Sequence, residues 1–512
     1  MADNPKGRVV GEGAACACTP DCFCSIDFVF AVLWILNTIV IVVFGFWGVS
    51  DDGLHVPGWL TFPDDPYTQE EELHVAFTAA GISFGGTLAL YCVALVLLYL
   101  IPYFLIICGQ ILLVVSLAAS GAAFVIAAPG ANDLKDWYYV FGVICFLGAT
   151  LVLLWLFCIR DRIAFTAQLV KAVALVLFKL PELIVYHFAF LAIAIVYAVL
   201  WLYAFFEYND LLGGSCDESS KAATVINDIA ETLTNSTTDL CDSSASTGAY
   251  IGANIWGIFS LFWGMLVLVN ISLVTTCGSI GAWYFSPDTT GHRGCLFCRP
   301  SVNGALIRAL TVNLGAIAFG SFLVAVLKTI IVVCQFFAQQ ASKGDNACIK
   351  VVCCCFICCL KCVEGCLTWL TEYAYVYVAL YADSFISAGT KVSSLLMSSG
   401  IGAVAQQSLV GSMLNLFVLL GIVIGALFGY LAVDTTGYRS DGTVILSCIM
   451  GGLMGCVILS MGLKPVDAGV KTLFVCYAEE PSYLEKADSE LHACIAERTP
   501  AKKSTDEPLV RP

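Results

Sequence analysis

Ten separate runs of apolar residues are each long enough, or nearly so, to cross a bilayer core as a helix, which takes about 20 residues. They fall near 28–49, 75–99, 103–128, 137–158, 181–206, 249–285, 304–338, within 351–385, and at 409–433 and 443–463. In lipid every backbone polar group has to be satisfied inside the chain, so such runs form helices. The fold class expected is therefore all-α: a polytopic integral membrane protein with about ten transmembrane helices. Composition excludes the soluble alternatives. Hydrophobic residues make up 59% of 512 and charged residues 12%, against about 25% charged in an ordinary soluble domain. The net charge of −15 argues against nucleic acid as a partner.

The first run follows 27 mostly polar residues without a small-residue cleavage site after it, and reads as a retained signal anchor. Lys and Arg in short loops mark the cytoplasmic side. Arg160, Arg162, Arg293, Arg299 and Arg308 place their loops inside. Segment 50–74 carries Asp51, Asp52, Asp64, Asp65, Glu70, Glu71 and Glu72 with no Lys or Arg. Segment 207–248 carries eight acids against Lys221. Both fall outside when both termini are cytoplasmic. Asn235-Ser236-Thr237 in the second loop is a glycosylation sequon, and Cys216 and Cys241 are a plausible disulfide pair there. The resulting division is a cytoplasmic tail over 1–27, a transporter domain over 28–463 and a cytoplasmic tail over 464–512. Segment 163–180 reads as an amphipathic helix lying on the inner surface.

Four stretches carry a resemblance. Leu314-Gly315-Ala316-Ile317-Ala318-Phe319-Gly320-Ser321-Phe322-Leu323-Val324-Ala325 is similar to the G-S-I-C-F-G-S-L-L-V-A run of the choline transporter-like family of solute carriers. Trp283-Tyr284-Phe285 resembles its W-Y-F. Ala374-Tyr375-Val376-Tyr377-Val378-Ala379-Leu380-Tyr381 resembles its A-Y-x-x-x-A-[IL]-Y-G, with Ala382 in place of the Gly. Thr472 to Glu480 resembles its T-L-F-x-C-x-x-E-D, with Glu480 in place of the Asp. The resemblance implies a plasma-membrane or organellar carrier for choline or a related amine such as ethanolamine, with proton exchange as one form of coupling; the plasma membrane is the location expected. No nucleophile elbow, His-Glu-x-x-His or kinase signature is present, so neither enzymatic activity nor a cofactor is expected. The rival reading is a membrane scaffold or signalling protein that transports nothing.

A quaternary ammonium ion donates no N–H hydrogen bond and is held by aromatic faces. Trp369, Tyr373, Tyr377 and Tyr381 recur every four residues and form one helical stripe; it serves either substrate or a headgroup-level aromatic belt. The long run 249–285 carries Trp256, Trp263, Asn270 and Tyr284 among Gly257, Gly264, Gly278 and Gly281. A midplane break at Gly264 and Asn270 would expose carbonyls to substrate, whereas an unbroken, tilted helix would use the glycines for packing. The candidate substrate residues are accordingly Trp256, Trp263, Asn270, Tyr284, Tyr375, Tyr377 and Tyr381. Glu182 and His187 open the fifth run and are the candidate proton-coupling groups; Lys328 either snorkels or pairs with an acid. Cysteine is abundant, with 26 in all. Cys354, Cys358, Cys362 and Cys366 share a helical face suited to lipidation or packing. Cys355/Cys358 and Cys359/Cys362 have the Cys-x-x-Cys spacing of a zinc site, but no His accompanies them and the adjacent Cys-Cys pairs do not follow finger spacing, so no metal site is expected.

Overall fold

The computed structural model describes residues 26–52, 69–130, 135–212, 244–285, 300–341, 347–399, 401–436 and 440–487. Among these residues the chain is helical, with no strand. The helices are α1 (Ile26–Asp52), α2 (Gln69–Leu100), α3 (Pro102–Ala127), α4 (Lys135–Lys179), α5 (Glu182–Leu212), α6 (Ser244–Phe285) and α7 (Pro300–Leu310). They continue with α8 (Leu314–Ala341), α9 (Ala347–Tyr381), α10 (Phe385–Ser399), α11 (Ile401–Thr436), α12 (Asp441–Gly462), α13 (Lys464–Glu479) and α14 (Ser482–Ala487). Ten of the helical segments are long and apolar enough to cross a membrane, and the one within 351–385 runs over Val352–Tyr381.

Packing sorts the ten long helices into two sets of five. One set is α2, α3, α4, α11 and α12; the other is α1, α5, α6, α8 and α9. In the first set α11 and α12 are the most intimate pair. A Cβ on Gly425 would overlap the Gly451 carbonyl, and one on Gly455 the Gly421 carbonyl. Glycines four apart on both helices bring the backbones together, which matters where lipid offers no hydrophobic drive for helix association. Ser83 of α2 joins this contact by donating to the Gly425 carbonyl at 3.2 Å.

Several boundaries differ from the sequence reading. Segment 163–180 is not a separate surface helix. It completes the 45-residue α4, and Ile163, Leu169, Val170, Val173, Val176 and Leu177 are buried in protein. An amphipathic pattern is the same whether the apolar face meets lipid or another helix, and here α13 is a partner. The run 304–338 divides at 311–313, where Asn313 is buried and its N–H donates to the Arg308 carbonyl at 2.9 Å. The break considered at Gly264 and Asn270 is absent, since α6 is one helix of 42 residues. A Cβ on Gly264 would overlap the ring of Tyr197 from α5, so that glycine serves packing. Residues 464–479, assigned from sequence to the C-terminal tail, form α13, of which Pro465 to Cys476 are buried.

Ala382 closes α9 with φ of 53°, the left-handed conformation that glycine adopts without penalty at a helix C-terminus. An L-residue with a Cβ loses about 1–2 kcal/mol there. Ala382→Gly should therefore raise the thermal unfolding midpoint in detergent and Ala382→Val should lower it. Equal midpoints for the three proteins would contradict the strain.

Candidate functional site

Two polar constructions are buried in the structure. The first is a clasp at one end of the molecule, built on α13. Lys471 is 2% exposed. Its ammonium donates to Asp467 one turn earlier at 2.6 Å and to Glu372 of α9, while Lys464 approaches the other Glu372 oxygen at 3.5 Å. Two cations and two carboxylates balance, and a charge this deeply buried is tolerated only when paired. Around the network, Gln406 of α11 donates to the Val470 carbonyl at 3.1 Å. Tyr284 of α6 donates to the Glu480 carbonyl at 2.9 Å, and Tyr381 of α9 donates to the Glu479 carboxylate. Three of the four stretches that carry the family resemblance thus meet at α13.

His187 adds a tie between the two helix sets at α12. Its Nε2 lies 2.6 Å from the Met461 carbonyl, which can only accept, so Nε2 carries a proton. Its Nδ1 lies 2.6 Å from the Ser272 hydroxyl of α6. Both ring nitrogens are therefore engaged in holding α5, α6 and α12 together. Glu182 is buried in the first turn of α5, where the exposed amides of a helix start favour a carboxylate.

The second construction lies between α6, α8 and α9. Asn270 donates to Ser321 at 2.9 Å and reaches the Tyr375 hydroxyl at 3.4 Å. Ser321 and Tyr375 are 3.1 Å apart, and Tyr375 donates to the Ile317 carbonyl at 3.0 Å. Trp263 is 2% exposed and donates to the Ala318 carbonyl at 2.9 Å. A chain of aromatic rings runs beside this knot. Trp256 meets Phe259 with centroids 5.2 Å apart, and Phe259 meets Trp263 at 5.5 Å. Phe322 joins Trp263 at 5.7 Å and Phe30 at 4.8 Å. Phe30 continues to Phe319 at 4.6 Å, Phe319 to Phe385 at 5.4 Å and Phe385 to Tyr375 at 6.0 Å. The chain closes on a carboxylate: Asp27 is buried and accepts the Phe385 N–H at 3.0 Å.

The candidate residues are thus divided. Trp263, Asn270 and Tyr375 come together, and Trp256 begins the ring chain while remaining 56% exposed. Tyr377 and Tyr381 stack at 6.0 Å near α13 and belong to the clasp, as does Tyr284. Tyr373 and Tyr377 are buried inside protein, where a headgroup belt does not place them. The sequence reading did not single out Asp27, Phe322, Asp467 or Lys471. The i, i+4 spacing of Asp467 and Lys471 and an acid opening an apolar run were the available signals. Cys354, Cys358, Cys362 and Cys366 are exposed and unpaired, and no metal-holding group of His, Cys, Asp or Glu occurs among the described residues. Asn235, Cys216 and Cys241 lie outside the described residues.

Residues 143–482 match the protein family described as plasma-membrane choline transporter. Protein PNS1 of Mycosarcoma maydis is 29% identical over 267 residues, covering 50% of this chain and 48% of the relative. Protein PNS1 of Cryptococcus neoformans is 33% identical over 268 residues, 51% of this chain and 47% of the relative. A CTL-like protein of Dictyostelium discoideum is 24% identical over 447 residues, 84% of this chain and 70% of the relative. The chain spans about half the length of the two PNS1 proteins it matches. The family match covers the clasp and the Asn270–Ser321–Tyr375 knot, whereas Asp27 and Phe30 lie before it.

The clasp makes a direct prediction. Lys471→Met removes the cation between two buried carboxylates, a change that costs about 3–5 kcal/mol when one partner of a buried pair is lost. The variant should unfold at markedly lower temperature and reach the membrane in reduced amount. Adding Glu372→Gln and Asp467→Asn to it should recover much of the loss, because no buried charge is then left unmatched. A triple variant no better than Lys471→Met would rule out charge pairing as the source of the effect.

Proposed function

The chain belongs to the plasma-membrane choline transporter family, and on that premise we propose that it carries choline or a related organic ammonium ion across the membrane by alternating access. The observation that carries this reading is the ring chain from Trp256 to Tyr375, closed by the Asp27 carboxylate and flanked by the Asn270–Ser321–Tyr375 knot. Aromatic ring faces attract a cation that cannot donate hydrogen bonds. The adjacent hydroxyls and amide suit a substrate that also carries a hydroxyl. Two helix sets tied at one end by α13 and His187 fit a carrier that opens by rocking one set against the other. Proton exchange is a further part of this reading. His187 sits at the junction of the sets, where a change of protonation would act on the tie itself, and Glu182 opens the same helix. The acidic segments 50–74 and 207–248 would concentrate cations at the outer mouth, an effect that salt weakens.

Reconstituted protein should take up labelled choline faster than empty vesicles do. A desolvated cation–π contact is worth about 2 kcal/mol, and 1.4 kcal/mol is about tenfold. Trp263→Leu should therefore raise the half-saturating concentration roughly 30-fold. Tyr377→Leu, which removes a clasp ring, should lower abundance and leave half-saturation near wild type. Binding without flux would favour the scaffold reading, and wild-type vesicles inert to choline and ethanolamine alike would overturn the carrier.

In this reading the protein resides in the plasma membrane with both termini cytoplasmic and Asn235 outside. Asn235→Gln should remove a glycan and shift mobility on a gel, and a C-terminal tag should resist protease added to intact cells. Cleavage of the tag from outside would reverse the sidedness.

A further inference from the structure

An ion pair lies midway along two of the membrane-spanning helices and takes no part in either construction above. Lys328 is near the centre of the span Leu314–Gln339, and Glu364 near the centre of Val352–Tyr381. The Lys328 ammonium donates to Glu364 Oε1 at 2.5 Å. Ionisable side chains at this depth are costly and are retained where they handle a substrate or ion. Unlike Lys471, this pair is not sealed in the core. The two side chains keep 31% and 22% of their surface uncovered.

The pair also heads a polar face. Glu364, Thr368, Thr371 and Tyr375 are spaced by 4, 3 and 4 residues and so share one side of α9. Ser321, Ala325 and Lys328 repeat the spacing on α8, the helix beside it. This face ends at the Asn270–Ser321–Tyr375 knot, eleven residues or about 16 Å along α9 from Glu364. Between the two ends, the Thr368 and Thr371 hydroxyls are buried with no hydrogen-bond partner among the described residues. A helical threonine ordinarily donates to the carbonyl one turn back, as Thr329 and Thr275 do here. Two hydroxyls left open on the line joining a carboxylate to an aromatic and polar site are placed to meet something that passes.

We propose that Glu364 is a midplane station for the ammonium head of the substrate, and that Lys328 is the built-in cation that fills this station when substrate is absent. The inference rests on the carrier reading and adds a second binding position to it. A lysine ammonium and a substrate ammonium carry the same charge and compete for the same carboxylate. Displacement of Lys328 lets the incoming cation bind at Glu364 and move along Thr368 and Thr371 to the knot. While Lys328 holds Glu364, the apparent affinity for substrate is reduced by the fraction of carboxylate that is free.

Two variants test this without leaving a lone buried lysine. Lys328→Gln frees the carboxylate, and Lys328→Gln combined with Glu364→Gln removes both charges. Binding of choline, tetramethylammonium and ethanolamine to purified protein is read at pH 8 as the concentration dependence of the thermal unfolding midpoint. Lys328→Gln should bind at least one of these cations about tenfold more tightly than wild type, which is about 1.4 kcal/mol. The double variant should bind at least tenfold more weakly than Lys328→Gln. Should Lys328→Gln not fold, the double variant alone should bind about tenfold more weakly than wild type. A wild type that responds to a cation while the variants respond equally overturns the Glu364 station and leaves the carrier reading standing. A wild type unmoved by all three cations overturns both.

Discussion

A charge removed from water must be matched where it is buried, and this constraint organises one whole end of the protein. Lys471 is enclosed by Asp467 on its own helix and by Glu372 on α9, with Lys464 completing a neutral group of four. Because the network can form only when α13 lies against α9, it places a short helix in the interior that would otherwise trail from the last span. Once there, α13 supplies carbonyls and a carboxylate to Gln406, Tyr284 and Tyr381. Both helix sets are thereby joined at that end. Among the described residues, two further lysines are paired in less enclosed surroundings: Lys328 faces Glu364 and Lys391 faces Asp383.

The two sets use different physics. In the set containing α11 and α12, association depends on small residues that let backbones touch, and Gly425, Gly451, Gly455 and Ser83 form its closest contact. In the set containing α6, α8 and α9, rings and hydrogen-bonded side chains fill the interior. In the carrier proposed above, a closely fitted set beside one with a polar interior, tied at one end, would be what alternating access sets in motion. Side chains that bond across the seam at that end, such as His187 between Ser272 and Met461, would have to exchange partners for the end to open.

The candidate site was partly legible. Trp263, Asn270 and Tyr375 belong together in the structure, and residue chemistry alone pointed to rings with polar neighbours. The four-residue stripe of Trp369, Tyr373, Tyr377 and Tyr381 was read correctly as one face of a helix. Its periodicity carried no information about what the face meets. Tyr381 meets Glu479 and Lys391 rather than the ring chain. Asp27 was not legible as part of the site, because its neighbours, Gly315 and Phe385, lie 288 and 358 residues away in sequence. Gly264 failed as a breaking point for a related reason: the ring that requires the missing Cβ belongs to Tyr197 on another helix.

The sequence by itself determined that this chain lives in a bilayer, that it is helical and that about ten helices cross. Each of these follows from hydropathy and length, which are local properties of a segment in lipid. The family resemblance was local too, carried by four short stretches. Only the tertiary structure decided that the last third of α4 and the whole of α13 turn inward, that Lys328 has Glu364 as its partner, and that the aromatic residues divide between a clasp and a ring chain. Those outcomes depend on which helix faces which. An amphipathic face, a buried lysine and an aromatic stripe all state a need for a partner, and the partner is identified only when distant segments are packed against one another.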